Sequence, residues 1–338
     1  MTKKNILITG IAGFIGYSLT ESLINQGFNI IGIDNLNNYY DVELKYDRLR
    51  NLGFKIDENN IQSVILSEKD ENLLFQKIHL EDKIGIEKIF QEYSIDIVIN
   101  LAAQAGVRYS ITNPDVYISS NIVGFTNLIE ISSKFKVEHF IFASSSSVYG
   151  NSTKAPFNEI DNTDNPVSLY AATKKSNEII GNAYHNLYGL NITGLRFFTV
   201  YGPWGRPDMA PMLFLKSLFS NETINIFNQG KLRRDFSYID DIVNGINKII
   251  FSEMKPGFRI YNIGNNHPTD LMYFISLFEK ETNLKFKTNF LPMQTGDVFE
   301  TFADITRINN DFGYAPRTSI EQGVSKFIEW YKKYYNII

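Results

Sequence analysis

Between residues 5 and 197, short apolar segments alternate with longer stretches of helical spacing, and that rhythm admits few architectures. Strands are expected at Asn5–Thr9, Phe28–Ile33, Phe75–Leu80, Asp96–Leu101, His139–Ala143 and Asn191–Phe197. All are rich in Ile, Val and Phe, and several are apolar throughout. A half-wet strand alternates polar and apolar residues, whereas a run apolar on both sides belongs in a parallel sheet covered by helices on each face. The expected class is therefore α/β, a doubly wound parallel sheet. After Phe197 the rhythm breaks: Pro203, Gly205, Pro207 and Pro211 crowd into what reads as a loop. Arg259–Ile263 offers one more strand, and 265–338 reads as helical with little strand order. The expected partition is a sheet domain of residues 1–199 and 237–264, and a smaller, mixed α/β C-terminal lobe of 200–236 and 265–338. The charged, tyrosine-bearing segment Asn37–Glu71 reads as a surface insertion after the second strand, or as a flap near the cleft.

The 338 residues suffice for a large core and two lobes around one cleft. With 43% hydrophobic and 21% charged residues, the chain has the make-up of a globular protein. A net charge of −4 provides no general attraction for nucleic acid or anionic membrane, so neither is an expected partner. There is no cysteine, which removes thiol catalysis and thiolate metal sites and suits a reducing cytoplasm, the expected location. No apolar run reaches membrane-spanning length, and the short one after Lys4 turns straight into glycines, as a buried first strand does. The four histidines, His79, His139, His185 and His267, are scattered without ligand spacing, so no metal site is expected.

Chemistry first shows at Thr9-Gly10-Ile-Ala-Gly13-Phe-Ile-Gly16. Glycines at this spacing permit a tight turn and close approach of backbone to a pyrophosphate, which then meets a helix N-terminus. The turn follows the first strand and precedes an amphipathic helix expected over Tyr17–Gln26. Asp34 ends the second strand, 18 residues after Gly16. A carboxylate there can bond both ribose hydroxyls of NAD and would repel the 2′-phosphate of NADP, so NAD is the expected cofactor.

Tyr170 and Lys174 stand four apart and share one face of a helix. A free tyrosine titrates near ~10, and a nearby ammonium favours its phenolate. Upstream, Ser144–Ser147 closes an apolar strand, where Ser145 could hold a substrate hydroxyl. Tyr-x-x-x-Lys alone is a common chance spacing in a chain with 19 tyrosines; its place after that serine run makes a catalytic unit the better reading.

With Leu101-Ala-Ala-Gln104, Leu195-Arg-Phe-Phe-Thr199 and Arg234-Asp-Phe-Ser-Tyr-Ile-Asp-Asp241, these motifs resemble the extended short-chain dehydrogenase/reductases, Rossmann-fold enzymes, and among them the nucleotide-sugar 4-epimerases. More narrowly, Ala105-Gly-Val-Arg-Tyr-Ser110, Val200-Tyr-Gly-Pro-Trp-Gly-Arg-Pro-Asp-Met209 and Met293-Gln-Thr-Gly-Asp-Val298 resemble the UDP-glucuronate 4-epimerases. The resemblance implies an NAD-dependent isomerase acting on a UDP-sugar, with Tyr170 as base, Lys174 as its electrostatic partner and Ser145 holding the hydroxyl. It implies NAD contacts at Gly10, Gly13, Phe14, Ile15, Gly16, Asp34, Asn35, Leu80, Leu101, Ala102, Ala103, Tyr170 and Lys174. It implies substrate contacts at Arg108, Ser145, Ser146, Ser147, Thr199, Arg206, Arg234 and Asp297, and a homodimer built on the helix of Tyr170 and the helix near Tyr117–Phe135.

Arg206 is assigned to a sugar carboxylate, which guanidinium takes in a forked geometry, with Thr199 beside it. By the same resemblance Arg234 meets the UDP diphosphate, and Asp297 reads either as a contact to the uridine ribose or as a turn-capping aspartate. Two positions depart from the wider family: His79 stands where an aspartate usually ends the third strand, and Gln294 where galactose epimerases carry arginine. Related decarboxylases and dehydratases carry acids just after the strand-end hydroxyl residue. Here Ser146 and Ser147 follow, which favours epimerisation, because an acid is needed to protonate a carbanion or expel water.

Overall fold

The computed structural model describes residues 3–57, 61–152, 154–293 and 299–337. The chain divides into two compact units. The first comprises Met1–Val148, Ser168–Arg196 and Ile249–Tyr261; the second comprises Tyr149–Val167, Phe197–Lys248 and Asn262–Ile338.

The first unit is organised by an eight-stranded sheet, as the apolar segments require. From one edge to the other its strands are Phe258–Ile263, Ile192–Phe197, His139–Ser145, Ile97–Asn100, Asn5–Thr9, Asn29–Asp34, Leu73–Lys77 and Ile65–Leu66. The central strand Asn5–Thr9 runs parallel to both its neighbours, Asn29–Asp34 and Ile97–Asn100. Strand order reverses there: the chain first winds out towards Leu73–Lys77, then returns to the other side. Ligands of open α/β sheets bind at such a switch point, beyond the carboxyl ends of the strands. The two strand ends are tied together, Thr9 Oγ1 donating to Asn100 Oδ1 at 2.6 Å and the Leu101 amide to the Thr9 carbonyl at 3.2 Å.

Helices cover the sheet for local reasons. Helix Lys83–Tyr93 starts where the Asp82 side chain accepts from the Gly85 amide at 2.9 Å, and ends at Ser94 in the left-handed region. It buries Ile86, Ile89 and Phe90, spaced by three and four, against Val98 and Phe140 of the sheet. Each such side chain contributes about 2 kcal/mol when fully buried. Helix Leu169–Tyr188 is capped by Ser168, whose Oγ accepts from the Ala171 amide at 3.1 Å, and stops at Gly189 with φ +71°.

Boundaries shift from expectation where register decides. The third sheet strand is Leu73–Lys77 rather than Phe75–Leu80, because Leu73 and Phe75 point into the core opposite Ile30 and Gly32. The first helix is Phe14–Leu23 rather than Tyr17–Gln26: it begins directly from the glycine turn. Pro211 is no loop residue; it sits in the first turn of helix Ala210–Ser220, where its missing N–H costs nothing. The 37–71 segment folds into the first unit: helix Glu43–Asn51 buries Leu44 and Leu49, and Ile65–Leu66 pairs antiparallel to Leu73–Lys77 as the sheet edge.

In the second unit, Arg233–Tyr238 lies between Pro268–Asp270 and Glu300–Thr301, and its later half also pairs with Thr199–Tyr201 in parallel. Thr223–Ile226 and Lys287–Phe290 form a separate parallel pair. The region after 265 thus contains more strand than expected. Its core is aromatic: Phe236 stacks on Phe274 at 3.9 Å, and Tyr201 meets both edge-on. Among the described residues, no helix is long and apolar enough to cross a membrane.

His139, at the head of its strand, is buried and bonds Thr193 Oγ1 at 2.8 Å. Burial depresses its imidazole from 6.5 to about 4. The unfolded chain therefore binds the extra proton first, and stability is lost as pH falls from about 6.5 towards 4, by up to roughly 3 kcal/mol. His139→Gln, which keeps a partner for Thr193, should flatten this part of the stability-versus-pH curve in urea titrations. An equal slope in both proteins would contradict the assignment.

Candidate active site

Within the first unit, the glycine turn opens at the switch point. Gly10 has φ +74°, and a side-chain carbon on it would lie 2.8 Å from the Ala102 nitrogen. Gly16 is packed harder, since a Cβ there would come within 2.1 Å of the Gly10 carbonyl oxygen. These two positions draw the first helix against the turn. Gly13 is its N-cap, and no side chain caps it, which leaves first-turn amides for an anionic ligand. Phe14 and Ile15 begin that helix. Asp34 is buried; its Oδ2 accepts from the Ala12 amide at 3.2 Å and its Oδ1 from the Leu36 amide at 2.8 Å. A carboxylate has about four acceptor positions, so capacity remains for ribose hydroxyls. Asn35 shapes the next turn, Oδ1 accepting from the Asn37 amide. The turn, the uncapped helix and the strand-end carboxylate fit a dinucleotide.

Leu101, Ala102 and Ala103 continue from the neighbouring strand end, with the Ala102 amide held by Thr9 Oγ1 at 3.1 Å. Leu80 is buried beyond the third strand, and its carbonyl accepts from Asn127. His79 is exposed and lies 4.0 Å from Glu81.

The proposed catalytic residues share this unit. Tyr170 and Lys174 lie in the first turns of helix Leu169–Tyr188. Tyr170 meets the Tyr117 ring edge-on at 6.2 Å. Lys174 is buried, and its Nζ donates to the Ala143 carbonyl at 2.8 Å, at the end of the strand that carries Ser144 and Ser145. Burial lowers its ammonium from 10.5 to about 8. Ser145 is also buried; its Oγ donates to Ser147 Oγ at 3.1 Å and accepts from the Ser147 amide at 3.2 Å. Ser146 and Ser147 start the 3-10 turn Ser146–Tyr149.

Two features of this arrangement escape a reading of the sequence. Asn121, in the wide π-helical turn Ile118–Gly124, accepts from the Gln104 amide at 2.8 Å and donates to the Gln104 carbonyl and to Thr173 Oγ1. Asn177 closes the set by donating to the Asn121 carbonyl at 2.6 Å. An asparagine at an otherwise helical position is the available signal, because π-turns gather at functional sites. The second is Glu178, one turn beyond Lys174: it takes both arms of Arg196 at 2.8 Å and accepts from Ser144 Oγ at 2.6 Å, all buried. The helix of Tyr170 is thereby pinned to the serine-bearing strand at two levels.

Arg108 is exposed in the turn before helix Tyr109–Thr112. The remaining substrate candidates belong to the second unit. Thr199 opens its short strand opposite Phe236. Arg206 lies in the turn after that strand, its Nε 3.0 Å from Asp208 Oδ1 and its Nη2 2.5 Å from Oδ2. Trp204 in the same loop has φ +63°, unusual for an aromatic residue, and packs on Trp330 and Tyr334. Arg234 donates to the Arg233 and Phe299 carbonyls, while Arg233 pairs with Glu300 at 2.5 Å. Asp235 is buried beside them and accepts from Ser237 Oγ and from the amides of Asn265, Asn266 and Ala303. Asp297 and Gln294 lie outside the described residues. Among the described residues no His, Asp or Glu cluster could hold a metal ion.

The sequence pattern of the NAD dependent epimerase/dehydratase family matches residues 6–264. UDP-glucuronate 4-epimerase 4 of Arabidopsis thaliana is 42% identical over 350 residues, covering 98% of this chain and 76% of that protein. The UDP-glucuronic acid 4-epimerase of Bacillus cereus, solved with UDP-glucuronic acid and NAD, is similar with a TM-score of 0.86 at 32% identity, covering 98% of this chain and 100% of that one. The UDP-glucose 4-epimerase of Thermotoga maritima, solved with UDP-glucose, is similar with a TM-score of 0.85 at 29% identity, covering 98% and 99%.

Lys174 carries a measurable cost. Its folded pKa of about 8 lies below the ordinary 10.5, so at neutral pH the buried charge opposes folding by roughly 3 kcal/mol. That penalty is complete below about pH 8 and fades as pH rises towards 10.5. In NAD-stripped protein, Lys174→Met should raise stability at pH 7 by about 1–2 kcal/mol, after loss of the bond to Ala143. The gain should shrink above pH 8 in calorimetry, and a destabilised variant at every pH would refute this.

Proposed function

The chain belongs to the NAD dependent epimerase/dehydratase family, and within that family we propose that it inverts C4 of a UDP-linked uronic acid, interconverting UDP-glucuronate and UDP-galacturonate. It is an NAD-dependent isomerase of the UDP-sugar 4-epimerase type. The finer claim, a uronate substrate, is carried by Arg206: a planar guanidinium at the turn after Thr199–Tyr201, in a loop braced by Trp204. The likeness to UDP-glucuronate 4-epimerases over 98% of the chain supports it.

NAD supplies a reversible hydride acceptor for the sugar C4. Tyr170, as phenolate, takes the proton from the sugar O4, and Ser145 holds that hydroxyl in line. The Lys174 ammonium favours the phenolate by its charge. Of its three N–H donors one is committed to Ala143, leaving two for the cofactor ribose and the phenol. The oxidised sugar is a 4-keto uronic acid, a β-keto acid able to lose carbon dioxide. Arg206 and Thr199 hold its carboxylate against that loss, and no acid follows Ser145 to protonate a carbanion. Arg234 is assigned to the UDP diphosphate, which stays held while the keto sugar turns its other face.

Product analysis by NMR tests this directly. UDP-glucuronate should yield UDP-galacturonate; UDP-xylose as main product, or conversion of UDP-glucose alone, would refute the uronate reading. Tyr170→Phe should lower kcat by about 10²–10⁴. Arg206→Ala should raise KM for UDP-glucuronate roughly 10- to 100-fold, with a smaller effect on UDP-glucose.

We also propose a homodimer. Val116, Ile118 and Val123, on the segment preceding helix Phe125–Lys134, and Ile179 and Leu187, on the helix of Tyr170, are exposed apolar side chains on two adjacent elements. Light scattering should give a dimer for the parent chain and a monomer for Val123→Asp with Ile179→Asp. A parent chain that runs as a monomer would end this proposal.

A further inference from the structure

The loop that carries Arg206 packs on a helix remote in sequence. Helix Ile320–Tyr334 starts from a capping box on Ser319 and sets Phe327, Trp330 and Tyr334 on one face, at spacings of three and four. That face meets the strand and the loop at separate points. Tyr201, at the strand's end, lies edge-on to Phe327 with ring centres 6.4 Å apart. Trp204, three residues on, packs against Trp330 at 5.4 Å and edge-on to Tyr334 at 5.2 Å. Trp330 and Tyr334 stack on each other with planes 16° apart. Two tight turns follow one another in the loop: the Gly205 amide bonds the Gly202 carbonyl at 3.0 Å, and the Met209 amide bonds the Arg206 carbonyl at 3.1 Å. The first has Pro203 and Trp204 at its centre, and Trp204 has φ +63°. Proline followed by a positive φ is the type II pattern, whose second central position ordinarily takes Gly or Asn. A bulky residue keeps such a backbone only where its surroundings over-determine it. Around Trp204 those surroundings include the Trp330 and Tyr334 rings. Trp330 contributes surface rather than a hydrogen bond, since its Nε1 is buried with no partner among the described residues.

We infer that Trp330 is a positioning residue: through Trp204 it holds the paired turns of 202–209 in the form that presents Arg206 to the sugar carboxylate. The carboxylate as target rests on the uronate reading above. Arg206 opens the second turn two residues beyond Trp204, so its place follows from the backbone at Trp204. Without the stacked ring, Trp204 relaxes towards the ordinary region of φ, the peptide after it turns, and Arg206 moves with it. The effect is one of ring shape and buried area. An aromatic replacement therefore preserves it, and truncation to a methyl group does not.

The test follows hydrogen exchange by mass spectrometry over residues 202–209 in the NAD-loaded protein, comparing the parent with Trp330→Ala and Trp330→Phe. In Trp330→Ala the Gly205 and Met209 amides should exchange about tenfold faster, and in Trp330→Phe within about twofold of the parent. Trp330→Ala should also raise KM for UDP-glucuronate about tenfold, with a smaller change for UDP-glucose and none in Kd for UDP alone. Trp330→Phe should restore the parent KM. Unchanged exchange overturns the inference, and so does faster exchange with an unchanged KM for UDP-glucuronate. An equal loss of affinity for UDP alone overturns it too, since that marks a general loosening of the second unit. If Trp330→Ala does not fold, Tyr334→Leu removes the other ring against Trp204 and gives the same comparison. A parent enzyme that never converts UDP-glucuronate sinks the uronate reading, whereas exchange over 202–209 still decides whether Trp330 sets the loop, so the two failures are separable.

Discussion

One buried ammonium sets the terms for the first unit. Lys174 gives up water to reach the Ala143 carbonyl at 2.8 Å, and desolvation makes its charge expensive. Such a charge persists where the surrounding structure over-determines it. The helix that carries it is capped at Ser168, held along its length by the Asn121 set, and locked one turn further by Glu178 with Arg196 and Ser144. A buried pair of that kind is weak evidence for net stability, since desolvation of both partners offsets their attraction. Its value here is geometric. It fixes which turn of the helix faces the serine-bearing strand, and hence where Tyr170 stands relative to Ser145.

What was legible in the sequence was whatever is local. The glycine turn, Asp34 at a strand end and the Tyr170/Lys174 spacing are short-range patterns whose geometry follows from the elements that carry them. The sheet strands were legible for the same reason, because a strand buried on both faces announces itself by composition. Their ends were less so: whether the third strand begins at Leu73 depends on pairing with Ile30, some forty residues away in the chain. Asn121, Glu178 and Arg196 were silent because their roles exist only once three distant segments converge. Asp208 was in view inside Arg-Pro-Asp, but a turn-closing aspartate and a guanidinium's partner look alike until the side chains are placed.

The polar 37–71 segment does more than cover a surface. Its charges read as a surface insertion, and most of them are exposed. Arg48, however, is fully buried, donating to the Ala12 carbonyl of the glycine turn and to the Tyr40 hydroxyl, each at 2.8 Å. Lys45, also buried, donates to the backbone and side chain of Asn37. Two cations thus hold the turn and the loop after Asp34 from behind. The segment therefore has a wet side, with Glu43, Arg50, Lys55 and Glu68 exposed, and an inner side where long basic side chains bury their stems and bond carbonyls.

Two buried ionisable groups, one in each unit, illustrate how satisfaction separates support from chemistry. Asp235 receives four donors on its two oxygens, so its acceptor capacity is filled by its own chain. A carboxylate so enclosed has nothing left to offer a ligand; it orders the backbone around Arg234. Lys174, equally buried, meets one acceptor among the described residues and retains two N–H groups. Buried polar groups are nearly always satisfied, and an incompletely used one requires an explanation. For Lys174 the proposed partners, the cofactor ribose and the Tyr170 phenol, would supply it.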